Sequence, residues 1–174
     1  GAIVDAVLVR LATAKPEGSK KEVATLLAGF LKDADQFTRQ HAAKGLGVWG
    51  GAAHVEALLA LLEDGEFAVR WAAIESLGAL KDARAAAPLA KLVGTGRDSY
   101  QASQALKILG EVAEEAVLKL LDEAKPEPRR EACQILKVIG TQKSVAALEK
   151  AANDADPLVA LRAKAAGKDV NSRK

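Results

Sequence analysis

The chain has 174 residues, of which 25 are lysine or arginine and 23 are aspartate or glutamate, so its formal net charge is +2. This near balance disfavours a nucleic-acid binding protein, because such proteins usually carry a marked basic excess. The sequence has no run of about 18 apolar residues, so it predicts no membrane span. The single cysteine excludes an internal disulfide and any metal site built from several cysteines.

Four segments of the chain resemble one another, and each ends in an aliphatic residue followed by glycine. TRQHAAKGLG ends at Gly47, VRWAAIESLG at Gly78, QASQALKILG at Gly110 and EACQILKVIG at Gly140, with spacings of 31, 32 and 30 residues. Recurrence at such a period is the signature of a repeat protein. We therefore predict repeating units in which each glycine closes a first helix or allows a close backbone approach at the turn.

Within each unit the apolar residues recur with the period of an α-helix. Ala73, Ile74, Leu77 and Leu80 fall at i, i+1, i+4 and i+7, which makes one apolar stripe, and a second stripe follows after a short break. Period-two runs rich in valine, isoleucine and threonine, which are typical of strands, are missing from the sequence. The pattern predicts an all-α fold in which every unit is a helical hairpin.

In chain order, the period predicts about five hairpins followed by a terminal helix. We expect aspartates to accept hydrogen bonds from backbone N–H groups where first helices begin, namely Asp35, Asp64, Asp98 and Asp156. The first hairpin is expected to break at residues 15–18, which read KPEG. The predicted units are residues 2–34, 35–64, 65–96, 97–125 and 126–154, then a terminal helix over 155–167 and a polar tail over 168–174.

One of these segments carries a likeness to a known family. Its pattern, Asp64-(x)4-Val69-Arg70-(x)2-Ala73-Ile74-(x)2-Leu77-Gly78, resembles the HEAT repeat in the short bacterial form also called the PBS-lyase HEAT-like repeat. The resemblance implies a right-handed α-α superhelix, that is, an α-solenoid whose second helices line a concave face. It also implies a non-catalytic scaffold or protein–protein interaction module with a curved binding surface and no cofactor.

The fourth and fifth units depart from the family pattern. Ala102 and Ala132 stand at the position where the family has an arginine. The resemblance implies that Arg39 and Arg70 pair with acidic groups at helix starts, in their own unit or in a neighbouring one. We therefore expect a ladder of aspartate–arginine pairs that is interrupted in the fourth and fifth units.

A column of lysines on the second helices is the main candidate for a binding site. Alignment of these helices puts Lys91, Lys119 and Lys150 at equivalent positions. The three would form a basic stripe on the concave face that could receive an acidic peptide or a phosphate-bearing ligand, or they are solvated side chains that bind nothing. The predicted contact face comprises Glu56, Arg84, Lys91, Glu115, Lys119 and Lys150.

Trp71 is a candidate contact residue on the outer face. The equivalent residues of the other units are polar or small, namely Gln40, Ser103 and Cys133. Tryptophan is enriched at interface hot spots, so Trp71 is predicted either to contact a partner or to pack against a neighbouring side chain. Trp49 aligns with a core leucine and is predicted to be buried.

Catalytic and metal chemistry find little support in the sequence. His41 and His54 are the only histidines and lack clustered carboxylates, so they predict no metal site. Cys133 has no base at helical spacing, and the loop over residues 94–96 lacks the Gly-Lys-Ser/Thr of a phosphate cradle. We therefore predict no catalytic residue, no cofactor and no enzymatic activity.

Two other functions stay open. The main alternative is a bilin-lyase-like enzyme or enzyme subunit, which should have a deep apolar cleft and bind a tetrapyrrole. A HEAT-like DNA-binding protein or glycosylase is a weaker alternative, given the balanced charge. We expect a protein or peptide partner rather than nucleic acid or membrane insertion. The absence of methionine and the start at Gly1 predict a removed leader or a piece of a longer protein, so the compartment is open between cytoplasmic and exported.

Overall fold

The computed structural model describes residues 2–14 and 20–173, so the predicted break at residues 15–18 lies outside the described part. Its regular structure is helical, with no strand among these residues, and none of their helices has the length and apolarity to cross a membrane. The helices are α1 (Ala2–Leu11), α2 (Lys20–Gly29), α3 (Gln36–Trp49), α4 (Val55–Ala60), α5 (Phe67–Leu80), α6 (Ala86–Ala90), α7 (Ser99–Leu109), α8 (Glu114–Lys119), α9 (Pro126–Ile139), α10 (Val145–Ala151) and α11 (Pro157–Asn171).

Longer and shorter helices alternate along the chain. We call the odd-numbered helices first helices and the even-numbered helices second helices. From α3 onward the first helices have 11 to 15 residues and the second helices have 5 to 7. The order matches the predicted five helix pairs and terminal helix.

The chain forms two compact units, Gly1–Ala85 and Ala86–Lys174. From here on we call these the first and second unit, and we call the shorter predicted units repeats. In the first unit α3 packs against α1, α2 and α5, and in the second unit α9 packs against α7, α8 and α11. Each unit has a core of fully buried aliphatic side chains, because the apolar stripes of neighbouring helices face each other. The largest are Leu8, Leu27, Leu46, Leu58, Ile74 and Leu77 in the first unit and Leu89, Leu106, Ile135, Leu136 and Leu148 in the second.

The four repeat glycines are not equivalent in the structure. Gly47 and Gly78 lie inside α3 and α5, whereas Gly110 and Gly140 directly follow α7 and α9. A Cβ atom at Gly47 would lie 2.7 Å from the hydroxyl oxygen of Ser76, so this glycine allows α3 and α5 to pack closely. Gly47 thus fits the predicted close approach and Gly110 and Gly140 fit the predicted closing of a first helix, but the four glycines do not share one position in their helices.

Two of the four predicted capping aspartates cap helices. Asp35 accepts a hydrogen bond from the Thr38 amide at 2.8 Å, and Asp156 accepts from the amides of Leu158 and Val159 at 3.1 and 2.9 Å. Asp98 precedes α7 with a φ of 60° and makes no capping hydrogen bond.

The fourth predicted cap, Asp64, lies two residues before Glu66, which precedes α5, and accepts from the Glu66 amide at 2.9 Å. It therefore ties the turn before α5 instead of capping the helix.

The terminal helix α11 is longer than its sequence pattern predicted. It runs to Asn171, four residues beyond the predicted end at residue 167. Its buried face consists of Val159, Ala163, Ala166 and Val170, at the three- and four-residue spacing of a helix. Burial of Val170 on that face keeps the polar segment around it helical.

Candidate functional site

Arg39 on α3 holds the turn that precedes α5. Arg39 donates through Nε and Nη2 to both carboxylate oxygens of Asp64, at 2.9 and 3.1 Å, and through Nη1 to the backbone carbonyls of Asp33 and Ala34. The hydrogen bonds from Arg39 lower the pKa of Asp64 below its ordinary value. Arg70 is buried and donates to the carbonyls of residues 64 and 65. Arg39 therefore pairs with an acidic group before a first helix, as the resemblance implied, and Arg70 ties the same turn through its backbone carbonyls.

The same geometry recurs in the second unit at Arg129. This side chain donates to both oxygens of Asp154, each at 2.9 Å, and to the carbonyls of residues 123 and 124. Arg129 is the fourth residue of α9, as Arg39 is of α3. The predicted interruption of the ladder in the fifth repeat is wrong. Alignment on the closing glycine put Ala132 in the place that Arg129 occupies. Ala102 is the fourth residue of α7 and remains a departure.

The predicted register of the second helices agrees with their burial. Each second helix has a fully buried aliphatic residue near its middle or end, namely Leu27, Leu58, Leu89, Val117 and Leu148. Lys91, Lys119 and Lys150 each follow that residue by two positions and are exposed. In the second unit α6 and α8 pack against each other, and the Nζ of Lys150 on α10 lies 3.3 Å from an oxygen of Asp122, which follows α8.

The Arg39–Asp64 pair and the ion pairs of the second-helix lysines differ in their exposure. The side chains of Arg39 and Asp64 are 17% and 10% exposed. By contrast, the Lys150–Asp122 pair is 82% and 75% exposed, and the Lys119–Glu115 pair, at 3.4 Å, is 76% and 87% exposed. Exposed pairs contribute only about 0–1 kcal/mol, so the charges of the second helices can exchange their intramolecular partner for another at low cost.

In the first unit the structure brings together two other predicted contact residues. Arg84 approaches Glu56 at 3.4 Å, donates to both oxygens of Asp82 at 2.9 and 2.8 Å, and donates to the carbonyl of Ala52 at 2.6 Å. The hydrogen bonds from Arg84 lower the pKa of Asp82 to about 2. Arg84 therefore connects the turn after α5 to the residues around α4, and a partner would compete with these contacts.

The two tryptophans have different surroundings. The ring of Trp71 meets that of Phe67 edge to face, with centroids 5.0 Å apart and planes at 70°, yet Trp71 remains 41% exposed. Trp49 is buried and donates through Nε1 to the carbonyl of Leu11 at 2.8 Å. The predicted burial of Trp49 is confirmed. Trp71 packs against a neighbouring side chain, which is one of its two predicted alternatives, and contact with a partner stays a prediction.

A buried carboxylate in the second unit was not found from the sequence. Glu114 on α8 is only 4% exposed and accepts hydrogen bonds from the Thr141 amide at 2.7 Å, from the Thr141 hydroxyl and from the Ser144 hydroxyl. Burial alone raises the pKa of Glu114, but the donors at Ser144 and Thr141 outweigh it, so the pKa lies below its ordinary value. Its neighbour Glu115 is exposed, and only the start of α8 decides which of the two turns inward.

His41 and His54 contact the backbone of their own segments, and Cys133 is buried. The Nδ1 atom of His41 lies 2.8 Å from the carbonyl of Phe37, and that of His54 accepts from the Gly51 amide at 3.2 Å. Among the residues that the structure describes, no cluster of three His, Cys, Asp or Glu side chains could hold a metal. Cys133 is buried in α9, and burial raises its pKa to about 11.

Cys133 is expected to react slowly with a thiol reagent. The thiolate is the reactive form, and both burial and the raised pKa suppress it at neutral pH. We expect 5,5′-dithiobis(2-nitrobenzoate) to modify the native protein at least about tenfold more slowly than the protein in guanidinium chloride. Stopped-flow absorbance measures both rates, and the variant Cys133→Ser provides the blank. Equal rates would show an accessible thiol.

Comparison with known proteins bears on the fold. A family model described as HEAT repeats matches residues 23–110. A search of curated protein sequences finds no significant match.

Solved structures match over nearly the whole chain. The complex of CpcE and CpcF of phycocyanin lyase from Nostoc sp. PCC7120 has a TM-score of 0.59 at 23% identity, covering 92% of this chain and 69% of that one. An engineered protein has a TM-score of 0.58 at 20% identity, covering 97% and 89%. A designed armadillo repeat protein in complex with the peptide (KR)4 has a TM-score of 0.52 at 21% identity, covering 96% and 91%. The predicted all-α fold of HEAT-like repeats is confirmed.

Proposed function

Because the chain belongs to the HEAT repeat family, we propose that it is a non-catalytic scaffold or interaction module that binds a protein or peptide. In each unit the binding surface is the exposed side of its second helices and the turns beside them. The contact residues are Glu56 and Arg84 in the first unit and Lys91, Glu115, Lys119 and Lys150 in the second, and Trp71 on α5 is an alternative contact.

One observation carries this proposal: the ion pairs of Lys119 and Lys150 on the second helices are exposed, while the pairs that Arg39 and Arg129 of the first helices form with aspartates are bidentate and largely buried. The Lys119–Glu115 and Lys150–Asp122 pairs are each more than two-thirds exposed. The Arg39–Asp64 pair is largely buried. A partner can therefore replace the former contacts without disturbing the fold. Packed helices hold these charges in place before binding, which reduces the entropy lost on association.

Two of the similar structures support the proposal. One is a complex of two proteins, CpcE and CpcF, and another is a designed armadillo repeat protein in complex with a peptide. Proteins of similar fold therefore present surfaces to protein or peptide partners. We infer the same use of the fold for this chain.

The lysine column predicts a measurable affinity for an acidic peptide. We expect a fluorescein-labelled peptide of alternating glutamate and glycine to bind, and the triple variant Lys91→Glu, Lys119→Glu and Lys150→Glu to weaken binding at least about tenfold, because attraction becomes repulsion. Fluorescence anisotropy measures the affinity, and added salt should lower it.

The matched control reverses three exposed lysines of first helices in the second unit, Lys137, Lys164 and Lys168. Lys137 is itself in an exposed pair with Asp169 at 3.5 Å, so the control changes net charge to the same extent and also breaks a surface pair, one where the second-helix variant breaks two. We expect it to alter the affinity by no more than about twofold. Equal weakening by both triple variants would reduce the effect to net charge and would contradict a site on the second helices.

A bilin-lyase-like enzyme subunit is the second candidate function. The similarity to the phycocyanin lyase complex, with a TM-score of 0.59, favours it. Addition of a linear tetrapyrrole to the purified protein tests it, since bound pigment changes its visible absorption spectrum. An unchanged spectrum at a saturating protein concentration would remove this candidate.

A further inference from the structure

A cleft of about 490 Å³ lies across the beginnings of three first helices in the second unit. Tyr100 on α7 and Leu158 on α11 line it, and α9, which packs against both helices, contributes Glu127 and Glu131. The cleft is separate from the second-helix surface described above. Its volume is within the range of about 300–1,000 Å³ that small ligands occupy.

The apolar part of this cleft is unusually exposed. Tyr100 is 71% exposed and Leu158 is 48% exposed, and each is the second residue of its helix. The second residue of α3, Phe37, is 59% exposed. Large apolar side chains in solvent therefore recur at one position of the first helices, where packing against the core does not require them.

The charged part of the cleft has one carboxylate in excess. Arg130 donates to both oxygens of Asp156, through Nε at 2.9 Å and through Nη2, and Arg162 donates to Glu131 at 3.2 Å. Glu127 forms no ion pair with any residue that the structure describes. It lies four residues before Glu131, a spacing at which two like charges on a helix repel each other. A further cation in the cleft would relieve this repulsion.

A cleft of the first unit has the same combination of groups. It is about 540 Å³ in volume and is lined by Phe37 together with the carboxylates of Asp5, Asp33 and Asp35. None of these three carboxylates forms an ion pair within the described part of the chain. An exposed apolar side chain beside excess carboxylate thus occurs in each unit.

We propose that the cleft between Tyr100 and Leu158 binds a lysine or arginine side chain of an extended segment of a partner protein. The aliphatic stem packs on Leu158 and the Tyr100 ring, while the cationic end lies between Glu127 and Glu131 and against the face of the ring. The charge of the site selects the occupant, because Arg130 and Arg162 of the lining are each paired with a carboxylate, Asp156 and Glu131, which leaves Glu127 as the charge of the lining without an ion pair in the described part of the chain.

Tyr100 is the only tyrosine of the chain, so its ring resonances report on this cleft alone. The probe is an acetylated pentapeptide amide, Gly-Lys-Gly-Lys-Gly, titrated into the full chain and followed by proton–carbon NMR. Two further peptides have both lysines replaced by norleucine or by glutamate. We expect saturable shifts of the Tyr100 resonances with the lysine peptide and at least tenfold weaker binding of the other two.

Glu127→Gln is expected to weaken binding of the lysine peptide about tenfold, which corresponds to about 1.4 kcal/mol. Glu123→Gln is the matched control, because it removes the same charge beside the start of α9 but does not line the cleft. The triple lysine variant of the second helices should bind the lysine peptide as the wild type does, so this proposal and the proposed function can fail independently. Equal binding of the norleucine peptide, stronger binding of the glutamate peptide, or no shift with any peptide would each overturn it.

Discussion

Gly94→Ala is expected to destabilise the second unit by about 2–5 kcal/mol. Gly94 has a φ of 76°, and a Cβ atom there would lie 2.6 Å from the backbone nitrogen of Pro128 and 2.6 Å from its Cγ. The left-handed conformation costs a non-glycine residue about 1–2 kcal/mol. The clash adds to that cost, because relief requires the loop after α6 to move away from the first turn of α9.

Gly96→Ala separates these two causes. Gly96 has a φ of 87°, but nothing lies within 4 Å of its Cβ position. Its replacement should cost only the backbone term, about 1–2 kcal/mol. Urea unfolding followed by circular dichroism measures both variants, while tryptophan fluorescence reports on the first unit, which contains Trp49 and Trp71. Equal losses in the two variants would refute close packing of Gly94 on Pro128.

Glu114→Ala is expected to cost about 2–4 kcal/mol in the second unit. The change leaves the Thr141 amide and the hydroxyls of Thr141 and Ser144 without their acceptor at a buried position. An unsatisfied buried donor costs about 1–3 kcal/mol, and a rotating hydroxyl can recover part of that. The exposed neighbour provides the control, since Glu115→Ala should change stability by no more than about 0.5 kcal/mol.

The contribution of Glu114 should also depend on pH. Its pKa in the folded protein lies below the ordinary value of 4.5, so the ionised carboxylate favours folding above that pH. The advantage is lost as the pH falls through the folded pKa, because the carboxyl then binds a proton in both states. We expect the difference in unfolding midpoint between wild type and Glu114→Gln to shrink as the pH falls below the ordinary value of 4.5. A constant difference would show that folding does not lower the pKa of Glu114.

The contacts of Glu114 and Arg129 bear on the proposed function because a scaffold that presents a surface depends on fixed connections between its helices. Glu114 links α8 to the turn before α10, and Arg129 links α9 to the turn before α11. Both contacts are largely buried, so a partner on the exposed lysines would leave them intact. The parts of the molecule that hold its shape are thus distinct from those proposed to bind.

Properties that repeat locally could be predicted from the chain itself. The helical period of the apolar residues indicated an all-α repeat fold, because a helix buries one stripe whatever its neighbours are. The same reasoning placed Lys91, Lys119 and Lys150 at one register position, each two residues after a buried aliphatic side chain. Burial of Trp49 followed in the same way.

Other features required contacts between helices that are distant in sequence. Gly47 leaves room for the close approach of Ser76 on α5, and Arg129 takes the ladder position because α9 starts early relative to Gly140. Nothing local distinguishes buried Glu114 from exposed Glu115. Helix starts and neighbouring side chains set these features, since a shift of one residue turns a side chain by about 100° around the helix axis and so exchanges core for solvent.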